Sequence, residues 1–194
     1  MSDREAILDL ISRWAHYRDR LMWDELRGTF WKEGTISISW FDGFFAEFVD
    51  ASIRMSQEGT VSRHSMALPV ITIRGDRATS EAGVAISVRS SKPVEMDLVS
   101  HARFYDMLEK RDGSWRILKR TAIYETDRMD PVHPSSLFWF ATLFLNLKKY
   151  PKSCRHLAFG LEKSGHPLTE NVVEDNSNAL KVLYAAGARW MDRS

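Results

Sequence analysis

The sequence predicts one α+β domain: a bent antiparallel sheet with the early helices packed in its concave face, then a helical extension. Three observations carry this. Helical spacing fills the chain as far as Gln57, apart from one β-branched run. Three long stretches of strand character follow with no helix between them, and the last folds back across Arg111-Asp-Gly-Ser114, a hairpin signal. Beyond residue 128 the chain turns helical again. A length of 194 residues suits a single domain with an elaborated end.

The elements follow in order. Ser2-Asp-Arg-Glu5 is a capping box, which starts a helix at residue 3. Ile7, Leu8, Leu10, Ile11, Trp14, Ala15, Tyr17, Leu21 and Met22 form its apolar face, and Asp9, Ser12, Arg13, His16 and Arg20 take the other. After a break near residue 22, Trp23 to Phe30 reads as a short helix. Gly34 to Trp40 alternates and is rich in β-branched residues, so it reads as a strand. Phe41-Asp-Gly43 reads as a turn. Phe44 to Gln57 has helical spacing and stops at Gly59. Strands are expected over Val61 to Arg74, Arg77 to Arg89 (ending in a loop around Pro93), Asp97 to Lys110, and Trp115 to Tyr124. Met129 to Pro134 reads as a connector, dividing a first domain, residues 1–128, from an extension, residues 129–194. That extension should hold helices at Ser135 to Lys149, Pro151 to Ser164 and Asn178 to Met191, around a polar stretch from Glu170. No one of its helices could be a domain alone, so it should pack on the first domain or on a neighbouring subunit.

Composition excludes several function classes. With 27 basic and 26 acidic side chains the net charge is +1, so no global field favours nucleic acid or a membrane surface. The single cysteine, Cys154, permits no internal disulfide; together with an acidic N-terminus that lacks the features of a signal peptide, it points to a cytoplasmic protein. The apolar run Leu137 to Leu145 is too short to cross a bilayer, but it needs cover, which predicts a homo-oligomer, dimer or trimer. Seven Trp and ten Phe imply an aromatic core or an aromatic-lined pocket. There is no P-loop, dinucleotide glycine motif, CxxC or HExxH, and the six histidines lie far apart, so neither a metal nor an organic cofactor is expected.

His64 shares the parity of Met66, Leu68 and Val70, which points it at the core side of its strand. It is either a core histidine held by a carbonyl or a general acid or base. Asp19 lies at the edge of the first helix's apolar stripe, where it either faces solvent or reaches in to fix the His64 tautomer. Arg18 is near the centre of the stripe, a costly place unless it meets an acid or an anion. On the last strand Arg120, Ala122 and Tyr124 share a face. Arg120 there either binds an anionic intermediate or points outward to Glu125 or Asp127. For the strand from Asp97, the pattern does not separate His101, Arg103 and Tyr105 from Ser100, Ala102, Phe104 and Asp106 as the inward set. Cys154, between Ser153 and Arg155, reads as a structural thiol.

The segments Arg13-Trp-Ala-His-Tyr-Arg-Asp19 with Trp23-Asp-Glu-Leu, Arg63-His64, Arg74-Gly-Asp-Arg-Ala78, and Ala102-Arg-Phe-Tyr-Asp106 with Arg111-Asp-Gly-Ser-Trp115 resemble the SnoaL-like group of the nuclear-transport-factor-like superfamily. Tyr150-Pro to Leu161 and Leu183 to Trp190 look like the tail of some bacterial members. The resemblance implies a cone-shaped fold whose outer sheet face is commonly buried between subunits. It is strongest to the branch holding scytalone dehydratase and lindane dehydrochlorinase, which use a His–Asp pair without metal or organic cofactor, and it places that pair on His64 and Asp19. Several pocket positions depart from the relatives. No second histidine stands in Ser87 to Lys92; a helix tyrosine falls on Arg18, a strand tyrosine on Trp40, and polar pocket residues on Ala102 and Phe104; a lysine falls near Trp14. The expectation is therefore a cofactor-independent lyase or isomerase for a hydrophobic, cyclic small molecule. Trp14, Trp40, Phe104 and Tyr124 would form its walls, with Arg18 or Arg120 facing negative charge. The alternative is a non-catalytic ligand-binding protein or the small subunit of a ring-hydroxylating dioxygenase, which the same fold also serves.

Overall fold

The computed structural model describes residues 1–59, 61–90 and 94–192. Helix α1 spans Asp3–Asp19, and its capping box is formed: the Ser2 hydroxyl accepts the Glu5 N–H at 3.3 Å and the Glu5 carboxylate accepts the Ser2 N–H at 2.7 Å. The expected break falls at Leu21, whose φ of 59° cannot continue a helix. Helix α2 is shorter than expected, Trp23–Arg27, because strand β1 begins early, at Phe30–Ile38. Phe41–Phe44 is strand β2, folded back on β1, where only a turn was expected. Helix α3, Phe45–Gln57, ends before Gly59, which takes a φ of 89° that a side chain would strain.

The run from Val61 is two strands, β3 (Ser62–Met66) and β4 (Val70–Arg74), both antiparallel to β5 (Arg77–Ser90). Between them Pro69 has no N–H to offer the ladder. The loop expected around Pro93 lies outside the described residues. Strands β6 (Met96–Arg111) and β7 (Ser114–Pro131) pair along their whole length. Continued pairing draws Met129–Pro131, expected in a connector, into β7 opposite the start of β6.

The sheet order is β2-β1-β7-β6-β5-β3, with β4 also on β5 and a short strand β8 (Val173–Glu174) on β7. The sheet is curved and unclosed. It is mixed rather than wholly antiparallel, because β1 and β8 both run parallel to β7. Ile7, Ile11 and Trp14 of α1 and Phe45, Phe48 and Val49 of α3 fill its concave side against Phe104, Leu108, Ile117 and Tyr124, each at most 2 % exposed. On β6 the inward set is Ser100, Ala102, Phe104 and Asp106, all buried, while His101 is exposed.

The extension contains helix α4 (Ser136–Thr142), a 3₁₀ turn at Leu147–Lys149, helix α5 (Arg155–Lys163), β8, and helix α6 (Asn178–Asp192). Helix α5 starts four residues after Pro151 because the Asp127 carboxylate accepts the N–H groups of His156 and Leu157 there. Helix α5 rests on β6 and β7. Helix α6 covers the convex face, where Tyr105, Met107, Ile123, Val173, Leu180 and Leu183 form a second apolar cluster. Gly187 permits this approach, since a Cβ there would overlap the Tyr105 hydroxyl. On α4 and just beyond it, Leu137, Trp139, Phe140, Leu143 and Phe144 are 58–79 % exposed. No helix among the described residues is long and apolar enough to cross a membrane.

Candidate active site

Trp14 and Arg18 are one helical turn apart on α1 and share its inner face, and Asp19 closes the last turn. Across from them β3 supplies His64. Asp19 Oδ1 lies 2.6 Å from His64 Nδ1, and Asp19 Oδ2 accepts the His64 backbone N–H at 2.7 Å. One carboxylate thus fixes both the ring and the main chain of His64. The neighbouring Arg63 ties the same junction by donating to the Asp19 carbonyl at 3.1 Å. Trp14 meets the imidazole edge-on, with ring centres 5.5 Å apart at 81°.

An ionised carboxylate only accepts, so Nδ1 carries the proton and Nε2 keeps its lone pair. Burial pushes the His64 imidazole below its ordinary value. The hydrogen bond and charge of Asp19 oppose this, and the charges of Arg18 and Arg120 reinforce it. Burial alone would raise the Asp19 carboxyl, but the hydrogen bond and charge of His64, its backbone N–H and Arg63 outweigh it and hold Asp19 low. At neutral pH the pair is therefore a carboxylate and a neutral imidazole.

His64 opens on a cavity of about 620 Å³ of empty space, counting the part open to solvent. Trp14, Arg18, Trp40, Phe104 and Tyr124, all expected in the pocket, line it together with His64. Tyr124 accepts the Ser39 N–H at 2.9 Å, and burial pushes its phenol up to about 12, so it stays protonated at neutral pH. Arg120 is not on the wall. It lies behind it, over the rings of Trp14 (4.2 Å) and Phe104 (4.6 Å), and makes two 2.7 Å bonds to Asp106, with both side chains at most 1 % exposed. Arg120 thus neither points outward nor faces the cavity; it stiffens two of its walls. Asp106 was missed as a partner because the inward face of β6 was not legible. Leu157 and Leu161, supplied to the lining by α5, were missed as well.

The buried Cys154 thiol is pushed up to about 12 by burial, so it is not a thiolate at neutral pH. Among the described residues no group of three or more His, Cys, Asp or Glu side chains is placed to hold a metal ion.

A curved, unclosed sheet wrapped around two helices, with an apolar cavity in its concavity, defines the cone fold of nuclear-transport-factor-like proteins. Within that class, residues 1–121 match the SnoaL-like domain, and the chain belongs to this family. Pea pathogenicity protein 2 of Fusarium vanettenii is 26 % identical over an alignment covering 98 % of this chain and 86 % of that protein. A candidate scytalone dehydratase from Novosphingobium aromaticivorans superposes with a TM-score of 0.53 at 18 % identity, over 68 % of this chain and 88 % of its own. The β subunit of a candidate aromatic-ring-hydroxylating dioxygenase from the same bacterium also reaches 0.53, at 15 % identity, over 69 % and 93 %. Equal superposition on an enzyme of one kind and a subunit of another shows the shared fold and does not choose between them.

Proposed function

We propose that the protein is a cofactor-independent lyase or isomerase acting on a hydrophobic, cyclic small molecule. The observation that carries this reading is the 2.6 Å contact of His64 with Asp19 on the wall of an apolar cavity. His64 Nε2 takes a proton from a carbon next to an activating group. The Asp19 carboxylate stabilises the imidazolium that forms, as it already holds the ring in the required tautomer. In an isomerase the imidazolium returns the proton to another atom of the substrate; in a lyase it protonates the leaving group. Arg18 faces the negative charge that develops on the substrate. Trp14, Trp40 and Phe104 exclude water, and Tyr124 closes the inner end. Residues 129–194 belong to the same working unit as the cone domain, since α5 completes the wall with Leu157 and Leu161.

The test is proton exchange in deuterium oxide over a panel of cyclic ketones, phenols and halogenated rings, read by NMR. Label should enter with the wild type and not with His64→Ala. Exchange that persists in His64→Ala would contradict the assignment.

A second reading, a ligand-binding subunit without catalysis, is favoured by the exposed apolar side chains around α4 and by the likeness to a dioxygenase β subunit. Molar mass in solution separates the two. A dimer or trimer of this chain alone accords with the enzyme, and co-purification of a large iron-containing partner favours the subunit.

A further inference from the structure

The geometry points to an acid as the ligand of this cavity: a small cyclic carboxylate whose charge pairs with Arg18 while its ring lies among Trp14, Trp40 and Phe104. This rests on the small-molecule reading above, though not on His64 acting as a base.

Arg18 is 7 % exposed and sits on the cavity wall. Among the described residues its guanidinium has no hydrogen bond and no carboxylate within ion-pair distance. Its one close partner is the Trp23 ring, 5.4 Å away. The adjacent Asp19 attracts the guanidinium and offsets part of the burial cost, but it forms no ion pair with Arg18 and directs one bond from each oxygen to His64. By contrast the buried Arg120 is matched by Asp106 and the half-buried Arg103 by Glu81, Glu125 and Asp175. An arginine stays cationic when buried, and an enclosed charge without a counter-charge is costly. An anion entering the cavity offsets that cost, and an uncharged ligand does not.

The surrounding side chains lean the same way. Among the described residues the cavity lining contains no carboxylate. On its wall the Trp14 Nε1–H is buried with no acceptor among the described residues. Arg18 and the Trp14 indole therefore both leave donors on this wall for a ligand that supplies acceptors. A carboxylate suits the guanidinium fork, which grips two oxygens at once.

The full chain is titrated with matched acids and amides, benzoate against benzamide and cyclohexanecarboxylate against cyclohexanecarboxamide. Calorimetry and tryptophan fluorescence read binding at pH 7 and constant ionic strength. Each acid should bind about 10- to 100-fold more tightly than its amide, the range of a charge-assisted hydrogen bond. Arg18→Gln should erase the difference, Arg18→Lys should keep part of it, and His64→Ala should keep most of it. Equal binding of acids and amides by the wild type, an unchanged preference in Arg18→Gln, or no saturation by any acid would overturn the proposal. Should Arg18→Gln lose its fold, the acid–amide ratios of the wild type and Arg18→Lys decide alone. Deuterium exchange on neutral ketones without acid preference would sink only this inference. Acid preference without exchange on any compound would sink only the catalytic role of His64.

Discussion

His64 and His156 are gripped alike. In each pair one aspartate oxygen accepts the histidine's own backbone N–H and the other meets its Nδ1, at 2.7 and 2.6 Å for Asp19 and at 2.7 and 2.8 Å for Asp127. Their surroundings differ. Asp127 also accepts the Leu157 N–H at 2.8 Å, so it caps α5, and the His156 side chain is 25 % exposed on the surface of the extension. The His64 side chain is 8 % exposed, packed on Trp14, under the influence of two guanidinium groups and open to a cavity. A hydrogen-bonded His–Asp pair is thus a fastening as readily as a base. Enclosure and neighbouring charge separate the two uses.

The comparison breaks most easily at the rings. Replacing His64 with Ala should slow proton exchange about 10²–10⁴-fold, the contribution of a general base, whereas His156→Ala should leave the rate within about twofold. Equal losses would dissolve the distinction. Next come the charges behind the cavity wall. Asp106→Ala strands the buried Arg120 and should cost about 3–5 kcal/mol in denaturant unfolding. Asp127→Ala should cost about 2–3 kcal/mol through the lost cap of α5, with exchange retained. Arg18 should behave oppositely to Arg120. It has no carboxylate to abandon, so Arg18→Met should leave stability unchanged or raise it by about 1 kcal/mol, and Arg18→Gln should raise the pKa of His64 by removing a repelling charge. The smallest effect is on pH dependence. The folded state holds His64 below its ordinary 6.5, so the unfolded chain binds more protons there. Stability should be full above that value and decline as the pH falls below it, and His64→Ala should flatten the slope. Asp19 adds a similar loss only at pH values below its ordinary 3.8.

Much of this was legible in the sequence, because two rules of periodicity and a family resemblance carried it. Helical spacing put Trp14 and Arg18 on one face with Asp19 at its edge. Alternation turned His64 to the side of Met66, but Leu68 and Val70, which share that parity in the sequence, lie beyond the Pro69 break and are exposed, with Ile71 buried in their place. The pairing of His64 with Asp19 came from the family resemblance. The partner of Arg120 was not legible, for a local reason. Counting back from the Arg111–Ser114 turn sets Asp106 opposite Lys119. An irregularity between Met107 and Leu108 shifts the register by one, and Asp106 meets Arg120 instead. Leu157 and Leu161 were hidden because the packing of α5 depends on a cap contributed by Asp127, 28 residues before the helix begins. The break at Pro69 had a signal, proline in a strand, that the alternation around it masked.

The account rests on His64 being a neutral base with its free nitrogen toward the cavity. Nitrogen-15 NMR of the ring, titrated from pH 4 to 9 with His156→Ala used for assignment, measures this without a substrate. The account predicts a protonated Nδ1 and an unprotonated Nε2 at pH 7, with ring titration completed below the ordinary histidine value. An imidazolium persisting at pH 7, or a proton on Nε2 in place of Nδ1, would contradict it.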